Sequence, residues 1–82
     1  MSVMADDFTE KQGQCLSFIY NYTKINGRPP AEADIQRYFR VTPPTVHQMI
    51  RTLEQRGFIH WIPGQARTIK VLLPPEQLPY LK

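Results

Sequence analysis

Apolar residues recur at spacings of three and four as far as Gly57 and then begin to alternate, a change of period that predicts helices followed by strands. Leu16, Ile19 and Thr23 make the first stripe, widened by Cys15, Phe18 and Tyr22. Thr9-Glu10-Lys11-Gln12 precedes it: the threonine hydroxyl can cap a backbone N–H, and Gln12 can reach back to the cap. A helix is therefore predicted from about Glu10 until Asn26-Gly27 ends it. Arg28-Pro29-Pro30 cannot continue the helix, because proline lacks an N–H and pushes the residue before it toward extended backbone. Ile35 and Phe39, four apart, predict a second helix over about Glu32 to Phe39, too short to persist without packing. Thr42-Pro43 offers a cap and then a proline at the first helical position, where its missing N–H costs nothing. The third helix opens there, buries Val46, Ile50 and Leu53 with Met49 beside them, and stops at Gly57.

Beyond Gly57, Phe58-Ile59-His60-Trp61-Ile62 and Thr68-Ile69-Lys70-Val71-Leu72 are rich in β-branched and aromatic residues and predict two strands. Pro63-Gly64 suits the centre of a type II turn, giving a hairpin with Gln65, Ala66 and Arg67 near its tip. The expected fold class is α+β: a three-helix winged helix-turn-helix with a C-terminal two-stranded wing hairpin. Its 82 residues make one domain, divided into a disordered lead over 1–8, the folded unit over 9–73 and a Pro-rich tail over 74–82. That tail carries Leu78, Tyr80 and Leu81 among its prolines and reads either as docked or as a partner-binding arm.

Composition narrows the function classes. No apolar run approaches the ~20 residues of a membrane span, and Met1 to Asp7 lacks the basic end and apolar stretch of a signal peptide, so a soluble cytoplasmic protein without membrane partners is expected. The lone Cys15 allows neither an internal disulfide nor a multi-cysteine zinc site. No metal, cofactor or small-molecule ligand is expected. Nor is an enzyme, since no nucleophile has a base at a plausible spacing. Charge is uneven. Residues 1–34 hold three bases against five acids, a balance of −2, while residues 35–73 hold six bases against Glu54 alone, a balance of +5, so one face is suited to a polyanion.

With Val46, Ile50 and Leu53 turned inward, a step of about 100° per residue puts Pro44, Gln48, Arg51 and Gln55 outward, flanked by Thr45, His47 and Thr52. These are side chains of the kind that read base edges: glutamine for adenine, arginine for guanine, threonine for a thymine methyl. Thr42 at the helix start suits phosphate, because free N–H groups there favour anions. Arg67 and Lys70 on the wing, Arg40 in the turn and Arg28 before the second helix are further DNA-backbone candidates. The expected function is sequence-specific binding of double-stranded DNA by the third helix in the major groove, with a homodimer possible on a repeated site. A protein-interaction adaptor anchored by Leu78, Tyr80 and Leu81 is the alternative.

The chain resembles the DNA-binding domain of LexA-type repressors, within the winged-helix superfamily. The likeness runs from Thr9 to about Leu72 through Thr9-Glu10-Lys11-Gln12, Ile19, Gly27-Arg28-Pro29-Pro30, Ile35, Thr42-Pro43, Leu53-Glu54-Gln55-Arg56-Gly57-Phe58-Ile59 and Ile69-Lys70-Val71-Leu72. The resemblance implies operator contacts by Thr42, Pro44, Thr45, His47 and Gln48. It stops short of the serine-lysine self-cleaving and dimerising domain of that family, so self-cleavage is not expected. The family's asparagine and two glutamates on this helix give way to Pro44, His47 and Gln48, which implies a different operator preference. Ala31 stands where a capping threonine is expected, forfeiting roughly 1 kcal/mol unless Asp34 or water compensates.

Overall fold

The computed structural model describes residues 8–82. Three helices, α1 (Glu10–Asn26), α2 (Glu32–Phe39) and α3 (Pro43–Gln55), precede two short strands, β1 (Ile59–His60) and β2 (Lys70–Val71), and a 3₁₀ turn over Pro75–Gln77. This is an α+β winged helix. The first helix starts at the capping box its sequence predicts: Gln12 N–H donates to Thr9 Oγ1 at 3.1 Å, and Thr9 N–H donates to Gln12 Oε1 at 2.9 Å. Gly27, at φ 76°, closes the helix in the left-handed conformation. At α2 only half of such a box forms. Ala31 has no side-chain acceptor to offer, but Asp34 Oδ2 accepts the Ala31 N–H at 2.9 Å, so the carboxylate compensates one donor.

Leu16 and Ile19 of α1, Ile35 of α2, and Val46, Ile50 and Leu53 of α3 are fully buried and meet at the centre of the molecule. The hairpin closes this core from one side with Phe58, Ile59, Trp61 and Ile69. A helix of eight residues gains too little from its own hydrogen bonds to persist in water, so burial of Ile35 and the packing of Phe39 against this cluster hold α2 in place. Phe18, Tyr38 and Phe39 extend the core as an aromatic group, with the Phe18 and Tyr38 rings stacked at 4.5 Å.

The strands are shorter than the alternation predicts. Ile59 pairs with Val71 and His60 with Lys70, antiparallel, and the ladder then stops. Where the next rungs would lie, the Thr68 side chain takes over: its Oγ1 accepts the Ile62 N–H at 3.0 Å and lies 3.3 Å from the Ile62 carbonyl oxygen. Arg67, at φ 61°, bends the returning strand out of extended geometry, which is why five-residue strands do not form. Pro63-Gly64 makes the predicted turn, with Gly64 at φ 83° and Gln65 N–H donating to the Ile62 carbonyl at 3.2 Å.

Of the lead expected over 1–8, residues 1–7 lie outside the described residues. Phe8 is packed, its ring edge-on to Phe58 at 5.9 Å and against Gly13, where any Cβ would come within 2.8 Å of it. The tail is docked on α1. Ser17 Oγ donates to the Pro79 carbonyl at 2.8 Å, Gln14 Nε2 to the Tyr80 carbonyl at 2.9 Å, and Lys82 N–H to Gln14 Oε1 at 2.8 Å. Tyr38 OH donates to the Lys82 carbonyl, and Lys82 pairs with Glu10. Leu78 and Leu81 are partly buried against the core, leaving Tyr80 exposed.

Cys15 sits wholly inside, and burial pushes its thiol up from 9.0 to about 12. The thiolate is the reactive form, so at pH 8 the folded thiol is expected to react with Ellman's reagent about a thousandfold more slowly than in the urea-unfolded chain. Comparable rates in the two states would show that the α1 core is open to solvent.

Candidate nucleic-acid interface

The solvent side of α3 is set by its buried side. With Val46, Ile50 and Leu53 inward, Pro44, Thr45, His47, Gln48, Arg51, Glu54 and Gln55 are exposed, and Thr52 is half-buried. The structure thus brings Pro44, Thr45, Gln48 and Arg51 onto one open surface. Gln48 is not idle there: its Nε2 donates to Thr52 Oγ1 at 3.2 Å, an exposed bond that a base edge would have to replace. His47 turns to the flank. Its ring meets Trp61 edge-on at 5.7 Å, and its Nδ1 lies 3.7 Å from Glu32 Oε1, placing it where α3, α2 and the hairpin converge.

Thr42 caps α3, with its Oγ1 accepting the Thr45 N–H at 3.4 Å and lying 2.9 Å from the Thr45 hydroxyl. The expectation that free N–H groups at this helix start would draw phosphate needs correction. Pro43 and Pro44 have no N–H, the Thr45 N–H is taken by Thr42, and the Val46 N–H donates to the Thr42 carbonyl at 3.1 Å. What remains for an anion at this end is the pair of threonine hydroxyls and the helix dipole.

The basic candidates separate into two kinds. Arg28, Arg40, Arg51 and Lys70 are exposed. Arg40 holds a left-handed backbone at φ 56° in the α2–α3 turn, a conformation that costs a non-glycine residue about 1 kcal/mol. Arg67, expected at the wing tip facing DNA, is instead drawn inward. Its Nη1 lies 3.3 Å from each of three oxygens: Tyr22 OH, the Pro29 carbonyl and Asp34 Oδ2. A carboxylate and two neutral acceptors thus draw one nitrogen of the guanidinium to the protein body, while the side chain stays about a third exposed.

The fold also adds residues that the reading of the chain left out. Thr9, Lys11 and Gln12 at the start of α1 form one wall of a groove whose other wall is Thr45, Gln48 and Thr52 of α3. No spacing in the sequence announces this juxtaposition, because it depends on the tertiary packing of the helices. Trp61 is buried in the core.

A short helix packed on a second, outward-facing helix, with a hairpin alongside, defines a winged helix-turn-helix domain of the DNA-binding class. Comparison with known proteins agrees. A family profile described as the LexA DNA binding domain matches residues 5–68, and the chain belongs to that family, whose domains bind DNA sequence-specifically in transcription regulation. It is 37% identical over 70 residues to the LexA repressor of Thermosipho melanesiensis, covering 85% of this chain and 35% of that protein. Against the LexA repressor of Bartonella quintana it is 36% identical over 73 residues, covering 88% and 31% respectively. The LexA repressor of Thermotoga petrophila is 37% identical over 65 residues, with 79% and 33% covered. The chain therefore spans about a third of the length of these relatives. No helix among the described residues is long and apolar enough to cross a membrane.

Asp34 links α2 to its surroundings, and its carboxyl is held below the usual carboxylate range, chiefly by the Ala31 N–H and then by the charges of Arg67 and Arg37. A lowered folded value means that its contribution to stability is present above the ordinary value near 3.8 and is lost as pH falls through the lowered one. Urea midpoints measured from pH 6 down to pH 2 should fall less steeply at the acid end for Asp34→Asn than for the unaltered protein. Coincident curves would remove Asp34 from the account.

Proposed function

We propose that this chain binds double-stranded DNA as a transcriptional regulator, laying the outward side of α3 along the major groove with Lys70 of the wing on the phosphate backbone. The observation that carries this docking is the open surface of α3, where Thr45, Gln48 and Arg51 stand together, with exposed Arg28, Arg40 and Lys70 elsewhere on the domain. Gln48 and Arg51 are the base readers, Thr45 and Pro44 supply apolar contact, and Thr42 offers its hydroxyl to phosphate. His47, held at the flank, meets the backbone of one strand. The domain acts by binding, not by catalysis, in the cytoplasm. Because one such helix covers only a few base pairs, two copies on a repeated site form the functional complex.

A selection of duplexes from a random pool tests the reading directly: an enriched motif is expected, with a steep loss of affinity as salt rises. Retention of no duplex at low salt would sink it. On the selected duplex, Gln48→Ala or Arg51→Ala should each cost about 1–3 kcal/mol and relax preference at one base pair. Arg40→Gly has an opposite signature in two assays. Relief of the left-handed strain should raise stability by up to about 1 kcal/mol, while the salt slope of DNA binding falls by about one. An unchanged slope would remove Arg40 from the phosphate contacts.

A further inference from the structure

Among the described residues, the hairpin holds two cations, Arg67 and Lys70, and the first of them turns one nitrogen of its guanidinium onto the helical body. Arg67 adopts φ 61° in a hairpin that already has a glycine, Gly64, at φ 83°. A long, charged side chain in that conformation is a strained choice, and the surroundings must over-determine it. They do so through three different elements. The same Nη1 reaches Tyr22 OH on α1, the Pro29 carbonyl in the link after α1, and Asp34 Oδ2 on α2, each at 3.3 Å. Asp34, only 11% exposed at its side chain, also accepts the Ala31 N–H at 2.9 Å and pairs with Arg37 at 2.5 Å. One carboxylate thus secures both the start of α2 and the far end of the wing.

The wing needs this hold. Its ladder has two pairs, and beyond His60 it is closed on itself by the Thr68 hydroxyl, which ties Ile62 and Gln65 together but not to the helices. Ile69 and Trp61 anchor the hairpin's base in the core. Within the hairpin beyond Trp61, Arg67 hydrogen-bonds to the helical body.

We infer that Arg67 and Asp34 form a clamp that sets the angle of the wing against α2, and hence against α3, so that Arg67 is a positioning residue for DNA binding and not a phosphate ligand. The inference rests on the docking proposed above for the wing. It has a consequence opposite to simple electrostatics. Neutralising an acid in a DNA-binding domain ordinarily strengthens attraction to the polyanion. Here neutralising Asp34 releases the wing and weakens binding.

Three variants test the clamp. Arg67→Gly removes the side chain while suiting the left-handed backbone, Arg67→Lys keeps the charge but not the fork, and Asp34→Asn keeps an acceptor for Ala31. If release leaves the wing in its clamped angle about a tenth of the time, the affinity for the duplex selected by the unaltered protein falls about tenfold in each. The salt slope should stay within about 0.3 of its original value, whereas loss of a phosphate ligand would lower it by about one. Combining Asp34→Asn with Arg67→Gly should lose little more than Arg67→Gly alone. Hydrogen exchange of the hairpin amides in the free protein should accelerate in all three variants, which reads the clamp without DNA. The inference is overturned if Asp34→Asn binds as well or better, if Arg67→Lys keeps full affinity, or if Arg67→Gly lowers the slope by about one. Unchanged exchange of the hairpin amides overturns it even if the unaltered protein retains no duplex, a result that would separately overturn the docking itself.

Discussion

Eight residues cannot sustain a helix in water, and α2 exists because Ile35 is buried in one core cluster with residues of the two longer helices. The rest of the arrangement follows from that dependence. With Val46, Ile50 and Leu53 in one buried cluster with Ile35, α3 has one committed side, and its opposite side is turned to solvent whether or not anything binds it. The polar surface of α3 is thus a by-product of core packing, while the identity of the side chains on it is not. Any soluble helix of this amphipathic form would expose its far side; this one exposes hydroxyls, an amide and a guanidinium toward the same direction.

Two arginines hold left-handed backbone, and they illustrate different resolutions of the same strain. Arg40 sits in the turn between α2 and α3, where a glycine would cost less, and its side chain is exposed. Arg67 sits at the far end of the hairpin and directs its guanidinium at three oxygens of the body. A conformation penalised by roughly 1 kcal/mol in each case is compensated inside the protein for Arg67. For Arg40 no such internal partner is described, which is why it stays among the candidates for an external anion.

Much of this was legible in the chain because it is local. Thr9 with Gln12, Gly27, and Thr42 before Pro43 mark helix boundaries through bonds spanning three or four residues, and the structure places α1, α2 and α3 where these signals predict. The inward side of α3 follows from the helical period alone. What escaped is long-range. Arg67 meets Asp34 across 33 positions, Ser17 meets Pro79 across 62, and Lys11 and Gln48 line one groove only because of how the helices pack. Strand length failed for a subtler reason: β propensity favoured five residues on each side, but a side-chain hydroxyl and one left-handed residue replaced the outer rungs. The silent N–H groups at the start of α3 were readable in principle, since Pro43-Pro44 removes two donors on inspection.

The docked tail is held by its main chain. Ser17 and Gln14 grip the carbonyls of residues 79 and 80 and the N–H of Lys82, so at Tyr80 the backbone is captured while the ring, 97% exposed, has no structural task. A segment fastened in this way is indifferent to what it carries outward at that position. Position 80 is in effect a vacant mounting point on the α1 side of the domain, where a dye, a spin label or a bulky substitution would ride in solvent at a known place without disturbing the helix beneath it.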